Sequence, residues 1–298
     1  HRDLHSFPTR RSSDLCILAL ALLLPSLAQA YDVLVLQSQR NPAYDEVLSG
    51  FYRSGQGISK RLVLLSDYAE VDVVRIVRED RPRMILAVGD AALTLARKIR
   101  TIPVIALMSL DIHRLKPGQA NLTGIGMVAP PEQYCNLLRQ MKTRRVGVVY
   151  NPARSGWYLR QAQQAAEQAG ISLVLREVTT PRDTLPQLAS LAGKVDALWM
   201  LPDVTAVTRE TAEAYFYFSQ QHGVPVVAFT ASYLGLGAAA VLDIDRAALG
   251  RQARGIVDQL LEGGSGDNMA LRFPTGVTLK TNASLLKRLN IDNALVRP

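Results

Sequence analysis

Two stretches of this chain read alike, and the likeness limits the fold more than any other feature. Ile102-Pro-Val-Ile-Ala-Leu-Met-Ser109 is matched by Val224-Pro-Val-Val-Ala-Phe-Thr-Ala231. Each follows a helical pattern, and each helix follows an earlier apolar run: Met84 to Val88 in one case, Val195 to Leu201 in the other. Further upstream, Val33 to Leu36 leads into Asn41-Pro42-Ala43, as Val146 to Tyr150 leads into Asn151-Pro152-Ala153. Each half therefore reads strand, Asn-Pro-Ala turn, helix, strand, helix, strand, turn, helix, strand. Duplication of whole βα units, not of a short period, argues for two similar α/β lobes and against a solenoid.

The strand-length runs are apolar throughout, as in a parallel sheet covered on both faces. The expected architecture is two Rossmann-like lobes, each a parallel sheet flanked by helices. A chain of 298 residues also exceeds the size at which one core keeps growing. Asn41 is placed to cap a helix that opens with Pro42. Asp90, Asp183 and Asp245 are placed as further caps. Other helices are expected over 70–81, 132–141, 157–169 and 208–222, the last ending at Gly223 before Pro225. A turn-rich stretch, 110–123, is the expected first passage between lobes. Strand and helix signals continue after the second half, so the chain should cross more than once and form a hinge. The expected division is 31–121 with 237–266 in one lobe and 122–236 with 267–298 in the other.

Residues 1–30 stand apart. His1 to Leu15 reads as the translation of a sequencing adapter and carries no fold signal. Cys16 to Leu24 is a short apolar run followed by Ala28-Gln29-Ala30, the pattern of a secretory signal peptide cleaved after Ala30. Export to the periplasm without a lipid anchor is the expectation. Cys135 is then the remaining cysteine, read as a small buried hydrophobe in a helix. Residues 1–30 hold three Arg and two Asp, so of the net charge of +8 about +7 belongs to the rest. The basic residues are scattered without interleaved aromatics, which argues against a nucleic-acid partner.

For catalysis the chain offers little. From residue 31 onward it has no G-x-S-x-G, no Walker loop, no G-x-G-x-x-G after the first strand and no His-x-x-x-His. No catalytic residue, metal site or cofactor is therefore assigned. His222 precedes a capping glycine, where a cation suits the helix dipole; His113 has no second ligand nearby in sequence. Binding is better supplied. In open α/β sheets ligands lie beyond the carboxyl ends of the strands. Those ends carry Gln37, Ser38, Gly89, Asp90, Ser109, Asn151, Asp203, Thr205, Thr230 and Ser232, with rings from Tyr44, Tyr150, Tyr233 and Trp157. Hydroxyls, amides, carboxylates and ring faces together suit a small zwitterion or polar metabolite.

From residue 31 onward the chain resembles the type I periplasmic solute-binding proteins of ABC importers, in the branch with tryptophan- and tyrosine-binding members. The resemblance rests on Asn121-Leu-Thr-Gly-Ile125, Val146-Gly-Val-Val-Tyr-Asn-Pro152, Val195-Asp-Ala-Leu-Trp199 with Pro202-Asp203, and Leu249-Gly-Arg-Gln-Ala253. Leu279-Lys-Thr-Asn282 and the closing residues through Ile291 fit as well. It implies a monomeric Venus-flytrap that closes on a small-molecule ligand and delivers it to a membrane permease. The loop after the third strand is Gly89-Asp90 where small hydroxyl residues are expected, a departure that counts against an aromatic amino acid as the ligand. A ligand sensor of the same fold, reporting to a membrane sensor protein, is the alternative. An exported α/β enzyme is a more distant one.

Overall fold

In the computed structural model, residues 31–55, 57–267 and 269–291 are described. The expected signal peptide lies outside them. The first sheet contains β1 (Val33–Gln37), β2 (Lys60–Leu64), β3 (Met84–Val88), β4 (Val104–Leu107) and β5 (Leu122–Gly124), all parallel, in the order β2-β1-β3-β4-β5. The second contains β6 (Arg145–Tyr150), β7 (Ser172–Glu177), β8 (Ala197–Trp199), β9 (Val226–Ala228), β10 (Ala240–Ile244) and β11 (Val277–Thr281). Its order, β7-β6-β8-β9-β10-β11, repeats that of the first sheet and adds one strand. The duplication read from the sequence is thus a duplication of topology.

The matched Asn-Pro-Ala turns do the same work twice. Helix α1 (Pro42–Arg53) follows β1 after a short loop, and Asn41 accepts from Ala43 N at 2.9 Å. Asn151 does so from Ala153 N, again at 2.9 Å, where a later helix starts at Pro152. In each case the carboxamide takes an N–H that the first turn leaves without a partner, and proline fills a position whose N–H would be free in any case. Helices α2 (Val73–Asp80), α3 (Asp90–Ala96) and the short α4 (Ile112–Leu115) complete the first half. The second half has α5 (Pro131–Gln140), α6 (Pro152–Gln168), α7 (Thr184–Ala189), α8 (Arg209–His222), α9 (Arg246–Leu261) and α10 (Ala283–Arg288).

Several expectations need correction. Helix α6 begins at Pro152, not Trp157, because Asn151 caps it. The stretch 110–123 does not cross between lobes: β5 within it pairs with β4, so the chain leaves the first sheet only after Gly124. Residues 237–244 do not belong with the first sheet, since β10 lies between β9 and β11 in the second. Only α9 returns. Leu249, Ala253, Ile256 and Val257 join Val33, Val35, Val47 and Phe51 in one buried cluster against the first sheet. Nor is 267–298 wholly in the second lobe, because Arg272 N donates to Gly124 O at 3.0 Å and Gly126 N to Arg272 O at 2.9 Å. The second sheet is also not purely parallel, as β11 runs antiparallel to β10. Chain passages near 125–130, at 245 and near 273–276 therefore link the lobes.

Candidate functional site

The carboxyl ends of the two sheets carry two polar clusters, one on each lobe. On the first, Ser38 does what Asp90 was expected to do. Its Oγ accepts from Ala92 N at 2.9 Å and donates to Val88 O at 3.0 Å, so a serine from the β1 loop caps α3. Asp90 is the first residue of that helix, after Gly89. Its carboxylate instead accepts from the Ser109 hydroxyl and, at 3.3 Å, from Asp111 N. Gly89 has φ +92, and a Cβ there would lie 2.6 Å from both Ser38 Oγ and Tyr44 Oη. Only glycine fits so close an approach in that conformation. The Tyr44 phenol titrates above its ordinary range, first because it is partly buried and then because Asp90 is near.

The second cluster is organised by Asp203, which is 1% exposed. Its Oδ2 accepts from Asn151 N at 2.8 Å and Ser155 Oγ at 2.6 Å. Its Oδ1 accepts from Thr205 N at 2.9 Å and Ala206 N at 3.1 Å. Four donors saturate a buried charge that would otherwise be expensive to hold. Asn151 Nδ2 also reaches Thr205 Oγ1 at 3.2 Å. Asp203 therefore fixes the start of α6 and the loop after β8, and has no acceptor left for a ligand.

Between the clusters lies a crevice of about 280 Å³ lined from both lobes. Met108, Leu110, Met127, Pro202 and Phe229 give it apolar walls. Thr230, Asp243 and Arg246 supply the polar groups, and Ala43 reaches it from the start of α1. Asp243 accepts from Lys280 Nζ at 2.6 Å and from Ala231 N at 3.2 Å. Arg246 donates one Nη1 bond to Glu46 at 3.1 Å, which leaves most of its five donors uncommitted to that acid. Met108 stands at φ +55, a region few non-glycine residues occupy, directly at the wall. Beside this crevice the cleft narrows to about 30 Å³ between Ser109, His113, Arg154 and Trp157, room for water only.

Of the residues expected at the site from sequence, Ser109, Trp157 and Thr230 line these spaces. Ser38, Tyr44, Gly89 and Asp90 form the polar cluster behind Ser109, and Asn151, Asp203 and Thr205 the cluster behind Arg154. Others point elsewhere. Gln37 is 4% exposed and turns to Gln39 O at 3.0 Å. The Tyr150 hydroxyl donates to Glu177 on the neighbouring β7 at 2.9 Å. Tyr233 packs on Phe216 and Phe229, and Ser232 is exposed on a short turn. Met108, Met127, Phe229, Arg154 and Arg246 were not anticipated as ligand residues. A strand-end position was readable for Met108 and Phe229; the arginines reach the cleft only through tertiary placement.

Two matched α/β lobes, several chain passages between them and a crevice built from both define a two-lobe binding protein. Residues 40–295 match the family described as ABC transporter substrate binding protein, and the chain belongs to that family. Among solved structures, the ligand-free, open form of CD0873, a substrate binding protein with adhesive properties from Clostridium difficile, superposes with TM-score 0.66. It is 20% identical, over 88% of this chain and 96% of that one. A Streptococcus pneumonia ABC domain in complex with L-Trp gives 0.61 at 18% identity, over 89% and 96%. A tyrosine-binding protein of Clostridioides difficile is 23% identical over 59% of this chain, and the match spans about half, 52%, of that relative's length.

Proposed function

We propose that this protein captures a small zwitterionic metabolite, an amino acid with an apolar side chain foremost, between its lobes and hands it to the membrane permease of an ABC importer. The carrying observation is the crevice itself: apolar walls of Met108, Leu110, Met127, Pro202 and Phe229 beside Arg246 and Asp243. An arginine fork suits a carboxylate, and a carboxylate with spare lone pairs suits an ammonium. About 280 Å³ is close to the lower end of small-molecule sites, roughly 300 Å³. Relatives named for tyrosine binding and solved with L-Trp agree with this class. Delivery to a permease places the working protein outside the cytoplasm, in keeping with the signal-peptide pattern of residues 16–30.

The test is a thermal-shift panel of amino acids, sugars, purines and organic acids. A ligand at a hundred times its Kd stabilises by about 2.7 kcal/mol, or roughly 5–10 °C for a chain of this size. The expected hit is an apolar amino acid, with the shift lost in Arg246→Gln. A shift from a sugar or purine alone, or one unchanged in the variant, defeats the reading.

A further inference from the structure

Away from the ligand crevice, the narrow part of the cleft is filled by the protein's own side chains. The His113 ring, from α4 on the first lobe, lies on the Trp157 ring, from α6 on the second. Their centroids are 3.3 Å apart and their planes differ by 13°. One turn back on α6, Arg154 donates to Asp111 Oδ1 at 2.7 Å, and Arg114 holds the other Asp111 oxygen at 2.8 Å. A single carboxylate on the first lobe is thus shared between an arginine of each lobe. The stack is also braced at the hinge. A Cβ on Gly126 would lie 2.8 Å from His113 Nε2, so this ring packs on the first chain passage. Trp157 meets Tyr158 edge-on, and the Tyr158 hydroxyl donates to Ala129 O at 2.8 Å on that same passage.

We propose that His113 and Trp157, with Asp111 and Arg154, form a latch that holds the lobes together while the ligand crevice is empty, and that acidification releases it. A stacked ring pair and an ion pair, both between lobes and both beside the hinge, give closure a source of free energy that owes nothing to ligand. Such a contact raises the population of the closed form before ligand arrives.

The sensitivity to acid follows from what surrounds the imidazole. Its Nε2 is buried with no hydrogen-bond partner. The charged groups nearby are Asp111 and Arg114 on its own segment, Arg154 on α6, and Asp90 on α3, which accepts from Ser109 and Asp111 N. The Arg272 guanidinium turns away to Gln259. Tyr158 is the remaining titratable group on that side. Asp111 is committed to two guanidinium groups and Asp90 to Ser109 and Asp111 N, and neither carboxylate is bonded to the ring's Nε2. Burial lowers the His113 pKa to about 4. When the lobes part, the ring returns to water and to about 6.5. Above that value both forms are neutral and the latch has its full strength. As pH falls from 6.5 toward 4, only the open form takes the proton, and closure is lost. At about pH 5 the open form gains roughly 20-fold relative to neutral pH.

The test is small-angle X-ray scattering on protein unfolded and refolded to strip any co-purified metabolite. Circular dichroism at each pH checks that the fold persists. The wild type is expected to be compact at about pH 7.5 and to expand at about pH 5, both bracketing the ordinary histidine value. His113→Phe keeps a flat ring on Trp157 and removes the titration, so it stays compact at both. Arg154→Gln, which leaves the stack untouched, should be more expanded than wild type at the higher pH. A wild type with one radius of gyration at both pH values overturns the proposal. So does a His113→Phe variant that expands with acid as the wild type does.

Discussion

Asp203 shows how much of the site depends on a residue whose hydrogen bonds are all spent within the protein. Its two oxygens take four hydrogen bonds from Asn151, Ser155, Thr205 and Ala206. Replacing it with asparagine turns one acceptor into a donor aimed at donors. Hydrogen bonds to a charged group contribute about 1.5–3 kcal/mol each, and a buried unsatisfied group costs about 1–3. Asp203→Asn is therefore expected to destabilise by about 3 kcal/mol or more, read by urea denaturation. A loss below about 1 kcal/mol would mean that the loop after β8 rearranges freely. Asp203 was legible as a rim carboxylate from its place after an apolar run. Its role was not, because saturation by four donors depends on where Asn151 and Ser155 come to lie.

Helices were legible where their signals are local. Asn41-Pro42 marks a start and Gly223 before Pro225 marks an end, whereas the helix that starts at Asn151-Pro152 was legible only from Trp157. Among Tyr215, Phe216, Tyr217 and Phe218, three are buried and Tyr217 is 62% exposed, as four successive positions around one helix require. What could not be read was where α9 would pack, which is decided by two glycines far apart in sequence. A Cβ on Gly50 would lie 2.2 Å from Ala247 O, and one on Gly250 would lie 2.0 Å from Val47 O. Helices α1 and α9 thus touch backbone to backbone, and α9 is held on the first lobe although β10 before it belongs to the second. The same helix anchors the last passage: Gln252 Nε2 donates to Phe273 O at 2.9 Å, and its Oε1 accepts from Thr275 N at 3.0 Å. Gly250→Leu must push the two helices apart, and overpacking of this kind costs about 1–3 kcal/mol or more. The expected result is a lower denaturation midpoint together with faster amide exchange in α1 and α9. Unchanged exchange in α1 would show that the contact does not hold the pair.

At the scale of the molecule the chain is interleaved, so neither lobe is a continuous piece of sequence. Residues 31–127 carry the whole first sheet yet lack the helix that covers one of its faces. Without α9, Val33, Val35, Leu86, Val88, Ile105 and Leu107 lose Leu249, Ala253, Ile256 and Val257 from their shared cluster. A parallel sheet bare on one side is not stable in water, since such sheets are built to be buried on both. Met127 and Arg246 line the same crevice, so the end of 31–127 and the start of α9 lie close together. A short Gly/Ser linker can therefore join 31–127 directly to 246–262. The joined piece is expected to melt cooperatively and give a dispersed amide NMR spectrum, whereas 31–127 alone should do neither. Cooperative melting of 31–127 alone would place the boundary of the first lobe before β10 and α9, and would make the returning helix an accessory to that lobe, not part of its core.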